Sequence, residues 1–238
     1  MKNLDVQKDN RDKKLNVNIP IDGVAVEGVL RIPHNPRGIV LFAHGSGSGR
    51  HSPRNNFVAE ILRKARVATL LFDLLTEEED LIYENRFNIE LLTERLILAT
   101  GWVRKQQGVK HLKFGYFGAS TGAASALKAA ARLGSDIRAV VSRGGRPDLA
   151  MDEIIKVKSP TLLIVGENDP EVIKLNQLAF EALNTTRKLE IIPGATHLFE
   201  EPGTLEKASE LASNWFKKYL SHSFKEPFKN YGKTAGEI

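Results

Sequence analysis

"GYFGASTGAAS", residues 115–125, decides how the chain is read. Its first half is aromatic and glycine-rich and reads as a strand. Its second half is rich in alanine and reads as a helix. A single serine stands at the join, in Gly118-Ala119-Ser120-Thr121-Gly122. Serine caps helices well, because its oxygen accepts a backbone N–H of the first turn. A cap does not need glycine two positions before and two positions after it. A serine lifted out of a very sharp strand-to-helix turn does, because bulky side chains there would collide with each other and with neighbouring strands.

Working outward, apolar runs of strand length alternate with segments of helical period. The runs are "GIVLFA" (38–43), "VATLLFDLL" (67–75), "LKFGYFG" (112–118), "IRAVVS" (137–142), "PTLLIVG" (160–166) and "KLEIIPG" (188–194). Helices are predicted near 54–65, 89–106, 121–133, 149–156, 171–184 and 204–220. In the last, Leu205, Ala208, Ala212, Trp215 and Tyr219 form one apolar stripe, so Trp215 belongs to the core, and Trp102 reads the same way on its own helix. Ahead of these units, "LNVNIPIDGVAVEGVLRIP" (15–33) alternates, breaks at Asp22-Gly23 and alternates again, which predicts a β-hairpin. Strands apolar on both faces and interleaved with helices imply an α/β fold with a mostly parallel sheet covered on both sides. In such sheets ligands sit beyond the carboxyl ends of the strands.

Composition narrows the function classes. The chain has 238 residues, 42% of them hydrophobic, enough for one well-buried core. The expected organisation is a charged segment over 1–14, one α/β domain over 15–221 and a basic tail over 222–238. There is no cysteine, which excludes disulfides, thiolate metal sites and a cysteine nucleophile. The apolar runs are too short to span a bilayer and the charged N-terminus does not read as a secretory leader, so a cytoplasmic protein without a membrane partner is expected. The net charge of +5 comes from the ends: residues 1–14 carry +2 and residues 215–238 carry +3, while the stretch between is balanced. A nucleic-acid partner would call for a basic folded face, so none is expected.

The chemistry-bearing residues stand where the sheet rule places them. Ser120 follows the third crossover run, Asp169 follows the fifth in Gly-Glu-Asn-Asp, and His197 follows the sixth in Gly-Ala-Thr-His. A serine hydroxyl needs a base, and the base needs an orienting acid. The chain order nucleophile, acid, histidine is that of one class of serine enzymes. The N–H of Thr121 is one expected oxyanion donor. The glycine-rich loop "HGSGSG" (44–49) offers the second, at Ser46 or, failing that, Gly47.

On the H-G-x-G loop at 44–47, G-x-S-x-G at 118–122, Asp169 and His197, the chain resembles the α/β-hydrolase superfamily, dienelactone-hydrolase-like branch, over most of residues 15–220. The resemblance implies a Ser–Asp–His triad acting on esters, lactones or related acyl compounds, with no metal or cofactor. Dienelactone hydrolases proper use a cysteine nucleophile, and this chain has serine. Some relatives carry a fused phosphoribosyltransferase domain; this chain lacks the acidic-pair signature for a diphosphate-ribose group.

Only a short connection follows Ser142, so no large cap domain is expected, and the 76–88 loop is the longest that could shade the site. Arg50, Arg54, Arg143 and Arg146 fall near strand ends. There a guanidinium would clamp a substrate carboxylate or pair with a structural acid such as Asp73 or Asp148. The expected substrate is therefore a small acyl compound, with a preference for an anionic one. The same triad would serve an acyltransferase. A nucleotide-binding reading of "GSGSG" with Asp73 fails on glycine spacing, and no Gly-Lys-Ser/Thr is present. A non-catalytic interaction module would have no use for a competent residue at every catalytic position.

Overall fold

The computed structural model describes residues 12–221. Residues 1–11 and 222–238, with most of the expected charged ends and His222, lie outside the described residues. Strands β1 (Lys13–Ile21) and β2 (Val24–Ile32) pair antiparallel across the Asp22-Gly23 turn. Both turn residues have positive φ, 45° and 80°, the geometry that matches hairpin twist. The first strand thus begins at Lys13, two residues ahead of the expected domain start. Then come β3 (Gly38–Ala43), β4 (Val67–Phe72), β5 (Phe114–Ala119), β6 (Ile137–Arg143), β7 (Thr161–Gly166) and β8 (Arg187–Ile192).

The eight strands form one sheet in the order β1-β2-β4-β3-β5-β6-β7-β8. The hairpin joins antiparallel through β2 to β4, and every pairing from β4 to β8 is parallel. The helices are α1 (Pro53–Lys64), α2 (Glu77–Asp80), α3 (Ile89–Val103), α4 (Thr121–Leu133), α5 (Pro170–Ala182) and α6 (Thr204–Leu220). Among the described residues no large cap interrupts the series. Among the described residues no helix is long and apolar enough to cross a membrane.

Period-two alternation explains why the central runs are apolar throughout. In β3, Ile39, Leu41 and Ala43 pack with Leu92 and Leu96 of α3 and Leu127 of α4. Val40 and Phe42 point the other way, onto Val58 and Leu62 of α1 and Ala212 and Phe216 of α6. Two core layers result, one on each face. Trp215 packs on the second of them and donates Nε1–H to the Pro160 carbonyl at 3.2 Å. Trp102 packs on the first.

Two segments depart from expectation. The helix predicted near 149–156 is instead a pair of 3-10 turns, Pro147–Ala150 and Ile154–Lys156. Eight residues are too few to repay α-helix nucleation. Here α4 sets the path, because Lys128 and Arg132 hold Asp152 and Glu153 at 2.9 and 2.6 Å. The 76–88 loop contains α2, whose start is a capping box: Glu79 N–H donates to Thr76 Oγ1 at 3.2 Å, and Thr76 N–H donates to Glu79 Oε2 at 2.9 Å. "TEEE" carries that signature in plain sight. Glu79 also pairs with the buried Arg95, which anchors the loop to α3.

Candidate active site

Ser120 sits between β5 and α4 at φ 50°, ψ −124°, a left-handed region that costs an L-residue about 1–3 kcal/mol. Its side chain makes no capping bond. The turn is held through its backbone: Ser120 N–H donates to Arg143 O at 3.2 Å, while Ser120 O accepts from Ala123 N–H and Arg146 N–H, each at 3.1 Å. The flanking glycines are forced by contact. A Cβ on Gly118 would lie 2.4 Å from Ala123 Cα, and one on Gly122 would lie 2.2 Å from Ala43 O.

Asp169 precedes α5, and its carboxylate is likewise not spent on a cap. Asp169 Oδ2 accepts from His197 Nδ1 at 2.6 Å. A carboxylate accepts, so this bond places a ring proton on Nδ1, and in the neutral imidazole Nε2 is then the acceptor. Nε2 lies 3.4 Å from Ser120 Oγ, the loose end of hydrogen-bond range, as is common for a resting site. The structure thus brings together three residues from the ends of three strands. Sequence reading missed what steadies the histidine turn. Glu201 accepts from Thr196 N–H at 3.0 Å and from Thr196 Oγ1 at 2.7 Å, and Asn168 N–H donates to Ala195 O at 2.9 Å.

The two expected oxyanion donors have different surroundings. Thr121 opens α4, so its N–H has no intrahelical partner. Ser46 N–H donates to Thr121 Oγ1 at 3.0 Å, so this donor is occupied at rest. Gly47 adopts φ 66°, where only glycine is unstrained.

His44 pins the same loop. Its Nε2 accepts from Leu74 N–H at 3.0 Å, and Nδ1 donates to Gly45 O at 3.0 Å, which requires a neutral ring. Burial is the main cause that lowers the His44 pKa below its ordinary 6.5. The unfolded chain therefore takes up the proton first. Folding stability should be independent of this group above about pH 6.5 and fall below it, by at most about 1.4 kcal/mol per pH unit. Melting temperatures from pH 7.5 to 5 are expected to fall less steeply in His44→Gln than in the wild type. Equal slopes would remove His44 from this role.

The arginines separate. Arg50 pairs with Asp73 and Glu27, and its N–H donates to Asp73 Oδ1 at 2.7 Å. It lines a neighbouring cavity of about 740 Å³ whose wall includes Asp73 and Glu77–Asp80 but not Ser120 or His197. Carboxylates of this chain fill its fork, which is the alternative to a substrate contact that the sequence left open. Arg146 pairs with Asp148 at 2.8 Å. Arg143 is 7% exposed and has no acid within ion-pair distance among the described residues. With Arg54, it lines a cavity of about 230 Å³ that also holds Ser120 and His197.

Residues 61–224 match the family model described as "Dienelactone hydrolase family". The chain belongs to the dienelactone hydrolase family. The likeness extends beyond that segment: a dienelactone hydrolase from Anabaena variabilis ATCC 29413 is 53% identical in sequence, with a TM-score of 0.85 over 88% of this chain and 99% of that one. Est1E from Butyrivibrio proteoclasticus shares the fold at a TM-score of 0.74 and 18% identity, over 85% of this chain and 98% of that one. A Mycobacterium tuberculosis (strain ATCC 25618 / H37Rv) protein named "Putative phosphoribosyl transferase" is 58% identical over 197 residues. That match covers 83% of this chain and 44% of the relative, so the chain spans less than half the length of the curated relatives it matches. Within the dienelactone hydrolase family, this member places serine at the elbow between β5 and α4.

Proposed function

We propose that this dienelactone hydrolase family member is a serine hydrolase that cleaves a small ester or lactone through an acyl-enzyme. The observation that carries the reading is the chain of contacts Asp169–His197–Ser120, at 2.6 and 3.4 Å, on a serine held in a strained turn. Ser120 Oγ attacks the acyl carbonyl carbon as His197 Nε2 takes its proton. Asp169 keeps the ring in the required tautomer and balances the charge it gains. The carbonyl oxygen becomes an oxyanion, held by Thr121 N–H and by Ser46 N–H once that donor leaves the Thr121 hydroxyl, with Gly47 N–H as the fallback. Collapse expels the alcohol, which takes the proton from His197. Water then attacks the acyl-enzyme and gives a proton to the same nitrogen, and the acid is released as Ser120 Oγ leaves and takes that proton back. Transfer to a second alcohol would use the same intermediate.

The phosphoribosyl transferase name belongs to a relative more than half of which lies outside the match, so it supplies no reaction for this site. A fluorophosphonate probe is the direct test. It should label the wild type at Ser120 and leave Ser120→Ala unlabelled. Labelling that persists in the variant, or none in the folded wild type, would end the proposal.

A further inference from the structure

Acyl transfer leaves one group beside Ser120 without a task. Arg143 closes β6, is 7% exposed, and among the described residues neither Nε nor Nη1 has a partner. Its guanidinium lies 5.5 Å from the centre of the Phe199 ring, which covers a face and leaves the N–H edge unanswered. Burial pushes its pKa down to about 10, and the charge of Arg54 adds to this, yet it stays cationic at neutral pH. A buried cation with no counter-charge is a standing cost to the folded state. The cost is relieved when an anion arrives from outside.

The opposite wall of the same cavity suits such an anion. Ser52, Arg54 and Asn55 form the start of α1 and line the cavity with Arg143. This is a 12-residue helix with no acid in its first turn, so its positive end is uncompensated. Pro53 brings no N–H. Ser52 Oγ accepts from Asn55 N–H at 3.3 Å, which leaves the Arg54 N–H without an intrahelical partner. Arg54 pairs with Glu200 at 3.0 Å, but both side chains are solvated, 35% and 63% exposed, so that pair is weak and easily shared.

We propose that Arg143, Arg54 and the N-terminus of α1 form an anion subsite that holds a carboxylate or phosphate group of the substrate while Ser120 attacks its acyl carbon. As the position of an anionic substrate, this rests on the hydrolase reading above. The cavity, about 230 Å³, falls below the ~300–1,000 Å³ common for drug-sized ligands, so the substrate is a short acyl compound. Either group presents two or more anionic oxygens to a guanidinium fork.

Three esters of one leaving group decide it: 4-nitrophenyl butyrate, mono-4-nitrophenyl succinate and 4-nitrophenyl 3-phosphonopropionate. At least one anionic ester should show kcat/KM roughly tenfold to a hundredfold above the neutral one, and the better of the two names the group. In Arg143→Met the ratio should collapse to about twofold or less. The variant should melt at or above the wild-type temperature, since it removes an unpaired buried charge. Inorganic phosphate or succinate should inhibit butyrate ester hydrolysis competitively, and should raise the melting temperature of Ser120→Ala. That last measurement needs no turnover, so it separates this site from the nucleophile assignment. No anionic preference together with no inhibition by either anion, or a preference that survives in a folded Arg143→Met, would overturn the subsite. Undiminished hydrolysis by Ser120→Ala would overturn the hydrolase reading instead.

Discussion

Ser120→Ala is expected to lower kcat for an activated ester by about a millionfold, and Asp169→Asn by about ten-thousandfold. The two losses have different causes. Alanine removes the atom that becomes acylated, so only the oxyanion donors and binding remain. Asparagine offers an N–H or a neutral carbonyl where His197 Nδ1 needs an anion, so the ring loses both its tautomer and its counter-charge. Combining the changes should cost little more than Ser120→Ala alone, because the groups act as one unit. Melting controls are informative. Alanine keeps a Cβ at φ 50°, so its stability should match the wild type, whereas Ser120→Gly should be more stable by about 1 kcal/mol through release of the strained turn. A burst experiment on the wild type, showing a stoichiometric first turnover, would register the acyl-enzyme directly. Rates within tenfold of the wild type in Ser120→Ala would refute the nucleophile.

Gly122→Ala carries the largest expected loss of stability. The new methyl would stand 2.2 Å from Ala43 O and 2.4 Å from His44 O. Neither oxygen can retreat cheaply. Ala43 ends β3 and is in register with Gly118 of β5, and His44 is tied to Leu74 and Gly45. The helix must therefore be pushed off the sheet at the elbow. A loss of about 3 kcal/mol is expected, a fall of roughly 10 °C in melting temperature for a domain of this size. Gly101→Ala is the matched control. It lies in α3 with nothing within 4 Å of its would-be Cβ, so it should stabilise by about 0.5–1 kcal/mol. A Gly122→Ala protein that melts with the wild type would show that the elbow has slack the static contacts do not reveal.

Much of the layout was legible because parallel sheets sort chemistry to one edge. Each apolar run announced a strand, and Ser120, Asp169 and His197 each came within a few residues of a run's end. What the runs do not encode is order. Nothing in "GIVLFA" or "VATLLFDLL" says that β3 lies between β4 and β5, or that α1 shares a face with α6. The arginines show the same limit. Arg50 and Arg143 both stand near strand ends, yet one meets Asp73 and Glu27 and the other meets no acid among the described residues. That difference is lateral, and a linear reading has no lateral information. The segment at 149–156 failed for another reason: apolar spacing alone does not distinguish two 3-10 turns from one short helix. The occupied Ser46 amide was out of reach too, since its partner is 75 positions away.

On the proposed hydrolase mechanism, the bond between Ser46 N–H and the Thr121 hydroxyl has a catalytic consequence. A substrate's uncharged carbonyl, on entering, merely swaps with a hydroxyl of similar acceptor strength, and the exchange is nearly neutral. Once attack places a full negative charge on that oxygen, the swap becomes strongly downhill. The amide would then reward the ephemeral species far more than the ester that preceded it, which is the form of binding that raises turnover rather than occupancy.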